Sequence, residues 1–151
     1  MIEVSDSITI WRLREEVYDF LVDVTNLPRW QSDVVSATIT TAGEARVGTR
    51  FTEEIKLGPE TITAECEITD LVPTQRIGFT IKSSALHYEA VFALSDVEGG
   101  TLVDVSAAFE PKGPRRVLEP VYAREVERGV RDELEKLKSL IEGGPRAGSA
   151  A

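Results

Sequence analysis

The chain reads as one α+β domain in which a curved antiparallel sheet packs against a single long C-terminal helix. Three observations predict this. From Val34 to Phe109 apolar and polar side chains alternate almost throughout, the period of strands with one buried face. Short turn signals divide that stretch, so consecutive strands must be antiparallel neighbours. After Gly113 the apolar spacing changes to three and four residues and holds as far as Ile141.

Residues 2–10 form the first predicted strand, with Ile2, Val4, Ile8 and Ile10 on one parity and Glu3, Ser5, Ser7 and Thr9 on the other. Asp6 falls on the apolar parity. Arg14–Leu21 switches to helical spacing through Val17, Phe20 and Leu21. In Thr25-Asn26-Leu27-Pro28 a capping residue precedes an early proline, which predicts a second short helix ending near Trp30. Six strands are expected at 34–41, 48–57, 60–70, 75–83, 86–95 and 101–109. Their turns are Ala42-Gly43, Gly58-Pro59, Val72-Pro73-Thr74, Ser83-Ser84 and Glu98-Gly99-Gly100. The result is a meander, closed at one edge by the first strand lying beside the last.

Parity assigns the faces. Phe51, Ile55 and Leu57 lie together with Ile62, Ala64, Cys66 and Ile68, then Ile77, Phe79 and Ile81. Tyr88, Phe92, Leu94, Val103, Val105, Ala107 and Phe109 continue that face, while threonine, glutamate and lysine occupy the other. A dry face of this size needs a cover. The cover is a helix from Pro114 to the Gly143-Gly144-Pro145 stop, carrying Leu118, Tyr122, Val126, Val130, Leu134, Leu137 and Ile141 as its stripe. About 27 residues span roughly 40 Å, enough to cross the sheet. Glu127 with Arg131 and Asp132 with Lys136 are expected ion pairs on its wet side. The order is β-α-α-β6-α over residues 1–142, followed by a flexible tail at 143–151.

Composition narrows the function. A chain of 151 residues buries roughly 70% of its unfolded surface. A net charge of −9 repels phosphate backbones and anionic lipid, so no nucleic-acid partner is expected. No apolar run approaches the ~18 residues of a membrane span, and the first residues do not resemble a signal peptide. Cytoplasmic residence is the expectation. One cysteine and one histidine argue against disulfides and a zinc site. Gly-rich phosphate loops and the G-x-S-x-G and H-E-x-x-H motifs are absent, so no metal or cofactor is expected. Nothing in the pattern sets the oligomeric state, and a homodimer stays open.

Several stretches together resemble a known family. They are Arg14-Glu15-Glu16-Val17-Tyr18-Asp19-Phe20-Leu21-Val22-Asp23, Asn26-Leu27-Pro28-Arg29-Trp30, Val47-Gly48-Thr49-Arg50-Phe51, Val72-Pro73-Thr74-Gln75-Arg76-Ile77, Gly99-Gly100-Thr101-Leu102-Val103 and Leu137-Lys138-Ser139-Leu140-Ile141-Glu142. The chain resembles the START-like helix-grip superfamily, in particular the bacterial polyketide cyclase/dehydrase and lipid-transport (SRPBCC-type) proteins. Leu13 departs from the proline that members commonly carry before the first helix. The resemblance implies a cavity between the concave sheet face and the long helix. Members bind lipids, sterols, polyketides or other apolar molecules, and some catalyse cyclisation or dehydration there.

Parity places Phe51, Glu53, Ile55, Ile62, Ala64, Phe79, Ile81, Tyr88, Phe92, Val105 and Ala107 around such a cavity, with Trp30 at its mouth and Leu118, Tyr122, Val126 and Gly129 on the helix side. Glu53 and Tyr88 are the catalytic candidates: a buried carboxyl can act as a general base, and a phenol can donate to a ligand carbonyl. The structural alternatives are a rim glutamate and a core tyrosine. Asp6, Glu125 and Glu133 invite the same question, for which an arginine partner or a flank position suffices. Gly129 either leaves room for a ligand or permits close helix–sheet approach. Trp11 and Trp30 are expected to anchor the short helices, and Cys66 to act as a small core hydrophobe. His87 points away from the cavity by parity, and Arg115-Arg116 near the helix start either attract an anionic headgroup or form a solvated face.

Three functions follow. The first is binding of a hydrophobic or aromatic small molecule for transport or sensing. The second is a cyclase or dehydratase working in the same cavity. The third is a protein-interaction role of the chaperone-activator kind.

Overall fold

The computed structural model describes residues 1–144. Strand β1 (Ile2–Ile10) leads into helix α1 (Arg14–Val22), a 3-10 turn at Val24–Asn26 and helix α2 (Leu27–Trp30). Strands β2 (Val34–Ile39), β3 (Arg50–Leu57), β4 (Glu60–Val72), β5 (Arg76–Lys82), β6 (Leu86–Val97) and β7 (Gly100–Pro111) follow. A 3-10 segment at Gly113–Leu118 then opens helix α3 (Glu119–Gly143). Beyond Gly144 the expected tail lies outside the described residues.

All seven strands form one sheet in the order β1-β7-β6-β5-β4-β3-β2. Each pairing is antiparallel, and β1 closes the edge against β7 from Ile2↔Phe109 to Ile10↔Thr101. β2 stops at Ile39, short of its expected end, whereas β4, β6 and β7 run on to Val72, Val97 and Pro111. In β4 the cause is a bulge between Ile68 and Asp70. The extra residue shifts the register so that Leu71 pairs with Ile77 and keeps to the apolar face.

The long helix begins five residues later than Pro114 implies. Pro120 explains the delay. A proline lacks the N–H of an interior helical residue and clashes with the preceding turn, but it fits the first turn of α3.

The core fills the concave face. Trp30 meets Phe92 edge-on at 5.7 Å, Phe92 meets Phe79 at 6.3 Å, and Phe79 meets Phe51 at 6.1 Å. Val130, Leu134, Leu137 and Ile141 of α3 are buried against this assembly. The C-terminal end of the helix is also pinned by polar contacts. The Arg12 guanidinium donates to the Glu142 and Gly144 carbonyls, Lys138 Nζ donates to the Thr9 carbonyl at 2.6 Å, and the Trp11 N–H donates to Glu142 at 2.8 Å. Trp11 itself is not the expected anchor. It is 53% exposed, lying against the β6–β7 turn with Lys138 over its ring.

That turn depends on a glycine. A Cβ at Gly100 would sit 2.6 Å from the Ile10 carbonyl oxygen, which is backbone and cannot swing aside. Gly100→Ala is therefore expected to cost about 2 kcal/mol in urea unfolding, the range of a core overpacking. An unchanged midpoint would show that the two segments separate freely.

Candidate functional site

The N-terminal half of α3 is held differently from its C-terminal half. Tyr122 and Val126 are partly buried, and Leu118 is 44% exposed. Between this half and the sheet lies a hollow of about 530 Å³. Its apolar walls include Val34, Ile55, Leu57, Ile81, Leu86, Tyr88 and Phe109, facing Leu118, Tyr122, Val126 and Gly129. Tyr88, Phe109 and Tyr122 form a chain of edge-on rings, 6.3 and 6.0 Å apart, that links the sheet to the helix along one wall. A Cβ built at Gly129 would meet nothing within 4 Å. Close packing is thus not the reason for glycine there; the missing side chain leaves space.

One carboxylate stands inside. Glu53 is only 1% exposed, and neither of its carboxylate oxygens has a hydrogen-bond partner among the described residues. Its position follows from parity, since it shares the inward side of β3 with Phe51 and Ile55. Burial without a partner favours the neutral acid and pushes its pKa up to about 7. Glu133 borders the same hollow from α3 and is half-buried. Burial first, and the charges of Asp33, Glu53 and Asp132 second, push its pKa up to about 8. The Tyr88 phenol is raised as well, by burial and then by the nearby charges of Glu133 and Glu53. Two acids and a phenol therefore sit close enough to feel one another.

The other expected lining residues lie elsewhere on the same face. Trp30, Phe51, Phe79 and Phe92 form the aromatic core, with Ala64, Val105 and Ala107 buried in the same cluster. Ile62 packs at the cluster's edge. None of these eight borders the hollow, which opens toward the β3–β4 turn at Gly58 and Pro59. Gln31, Asp33, Val34, Leu86, Phe109 and Glu133 do border it, although sequence reasoning did not place them there. For Glu133 a signal existed: it follows Gly129 by one helical turn and so shares its face.

Outside the hollow, the remaining candidates have ordinary partners. Arg131 of α3 donates to Asp6 at 3.1 Å, rather than pairing with Glu127 as expected, and also reaches Glu135 at 3.3 Å. Both Asp6 and Arg131 are partly solvated, so Asp6→Asn is expected to cost about 1 kcal/mol or less. A loss of several kcal/mol in chemical denaturation would contradict this. His87 lies 3.0 Å from Glu89 on the outer side of β6. Cys66 is buried beside Glu53, and burial pushes its thiol pKa up, away from nucleophilic chemistry. Arg115 bridges to Glu60 at 2.5 Å across the mouth, and Glu125 is exposed at its rim. A second depression, about 510 Å³, lies over the outer face. Its walls are mostly threonines and charged side chains, joined by Phe51 and Cys66, with Arg50 already 3.4 Å from Glu67.

Residues 1–142 match the family model described as polyketide cyclase / dehydrase and lipid transport. No curated protein matches the chain. Among solved structures, a protein of Thermus thermophilus is similar at 18% identity and a TM-score of 0.79, covering 97% of this chain and 99% of that one. A START superfamily protein from Mycobacterium smegmatis is similar at 14% identity and 0.79, over 93% and 97% of the two chains. An aromatase/cyclase from Streptomyces sp. R1128 is similar at 17% identity and 0.78, over 99% and 98%. At these identities the likeness is one of fold. Among the described residues, no helix is long and apolar enough to cross a membrane.

Proposed function

Because the chain belongs to the polyketide cyclase/dehydrase and lipid transport family, we propose that it binds a hydrophobic or aromatic small molecule in the hollow beneath α3, for transport or sensing. The observation that carries this reading is the unfilled volume itself. Protein interiors pack closely, and a space of about 530 Å³ with apolar walls and a few convergent polar groups has the make-up of a ligand site. Gly129 supports it by withholding a side chain where one would fit.

N-phenylnaphthylamine, a neutral apolar fluorophore, should saturate at one equivalent per chain with a blue-shifted emission. Absence of any saturable binding would contradict the proposal.

Glu53 and Tyr88 favour a second reading, that the guest is also transformed. An acid poised near neutrality beside a phenol is the equipment for proton transfer next to a carbonyl. On this reading Glu53→Gln and Tyr88→Phe each lower turnover of a poly-β-keto substrate by about 10²-fold or more while leaving its affinity within a few-fold. Equal losses in rate and affinity would instead mark these residues as binding groups only.

A further inference from the structure

The charged groups around the hollow are unbalanced in a way that speaks to the chemistry of its guest. Asp33, Glu53, Glu125 and Glu133 border it, against Lys56 and Arg115. Arg115 is already bridged to Glu60 at the mouth, and no ion pair among the described residues engages any of the four acids. Glu53 is the strongest element, buried at the wall with both oxygens unpartnered. A buried carboxylate in that condition lacks a donor, and the described residues supply none.

We propose that the guest is an organic cation, an apolar ring system carrying one protonated amine, held with its ammonium between Glu53 on β3 and Glu133 on α3. This rests on the reading of the hollow as a binding site. The apolar walls and the Tyr88–Phe109–Tyr122 rings receive the ring system, and the two carboxylates receive the N–H donors. A neutral alcohol satisfies one oxygen of Glu53 but brings no positive charge to favour ionisation of the two acids. An anionic head group opposes that ionisation. No three carboxylate, imidazole or thiol groups of the described residues converge as metal ligands do, so an inorganic ion is a poorer fit than an ammonium on an apolar body.

The raised pKa values agree with this arrangement. In the empty hollow burial keeps both acids partly protonated near neutrality, and a cation between them draws them toward ionisation. The groups that face the pair are Asp33 after α2, Lys56 and Cys66 of the sheet, Tyr88 on β6, Glu125 and Asp132 on α3, and Arg115 before α3. Binding of the amine near pH 7 should therefore release protons to the buffer.

The test uses three probes of one shape: pyrenemethylamine, pyrenemethanol and pyrenecarboxylate. Each is titrated into the wild-type chain at about pH 8, where the amine is still charged. The amine should bind about tenfold or more tighter than the alcohol, and the carboxylate weakest. Glu53→Gln and Glu133→Gln should each lower amine affinity about tenfold and leave the alcohol within about twofold. Calorimetry in buffers of different ionisation enthalpy should register proton release with the amine alone. Alcohol binding as tight as amine binding overturns the cationic guest while leaving the hollow a binding site. Failure of all three probes removes the binding reading and this inference together. The wild-type ranking needs no variant, so it stands even if a substitution fails to fold.

Discussion

Gly129→Trp should yield a chain at least as stable as wild type that has lost most of its affinity for an apolar probe. The two effects have separate origins. Glycine within a helix costs about 1 kcal/mol relative to alanine and tryptophan ranks between the two, so the replacement relieves part of that cost. Nothing within 4 Å opposes the new Cβ, and an indole extending from it occupies the space between Val126, Tyr88 and the sheet. A guest displaced from that space loses its contacts, and a hundredfold weaker dissociation constant corresponds to about 2.8 kcal/mol. Fluorescence titration and urea unfolding of the same preparation read both quantities. Retained affinity with raised stability would place the guest elsewhere on the molecule.

Glu53→Met should stabilise the chain strongly at alkaline pH and hardly at all in mild acid. Methionine keeps the length of the side chain and removes its charge. In the folded wild type burial raises this carboxyl from 4.5 to about 7, so between those values the native chain holds a proton that the unfolded chain releases. Stability from this source is full below about 4.5 and is lost as pH rises toward about 7. The difference between the two pKa values corresponds to about 3 kcal/mol. Glu133 acts in the same direction up to about pH 8, so the variant keeps a residual slope. What should change between pH 5 and pH 8 is the gap between variant and wild type, by about 3 kcal/mol in urea unfolding. A gap independent of pH would mean that Glu53 is paired or hydrated in solution.

Strand parity is what makes Glu53 visible in the sequence. Phe51, Glu53 and Ile55 alternate with Thr52, Glu54 and Lys56, and a one-residue change in register would turn the acid outward. The stripe from Leu118 to Ile141 is equally legible as a helix covering the sheet. Parity, however, assigns a face and not a depth. Trp30, Phe79, Phe92 and Tyr88 all point inward, yet the first three interlock and only Tyr88 reaches open space. That distinction depends on which α3 side chains meet the sheet, Val130 to Ile141 filling the core and Val126 and Gly129 bordering the hollow, a tertiary effect with no local period. Glu133 reads as a flank residue in the sequence because its neighbours across the gap, Glu53 and Asp33, are remote in the chain. Pro120 and the bulge at Ile68 carry signals that closer reading recovers: the proline marks the true start of α3, and Leu71 prolongs the apolar face past the expected strand end.

The space between α3 and the sheet is expected to receive an apolar guest. Crystals of the chain soaked with a brominated naphthalene test it by locating the bromine through its anomalous signal. A single strong peak is expected among Tyr88, Val126 and Gly129. A peak confined to the outer sheet face beside Thr52 and Glu65, with the inner space unoccupied at saturating probe, would contradict it.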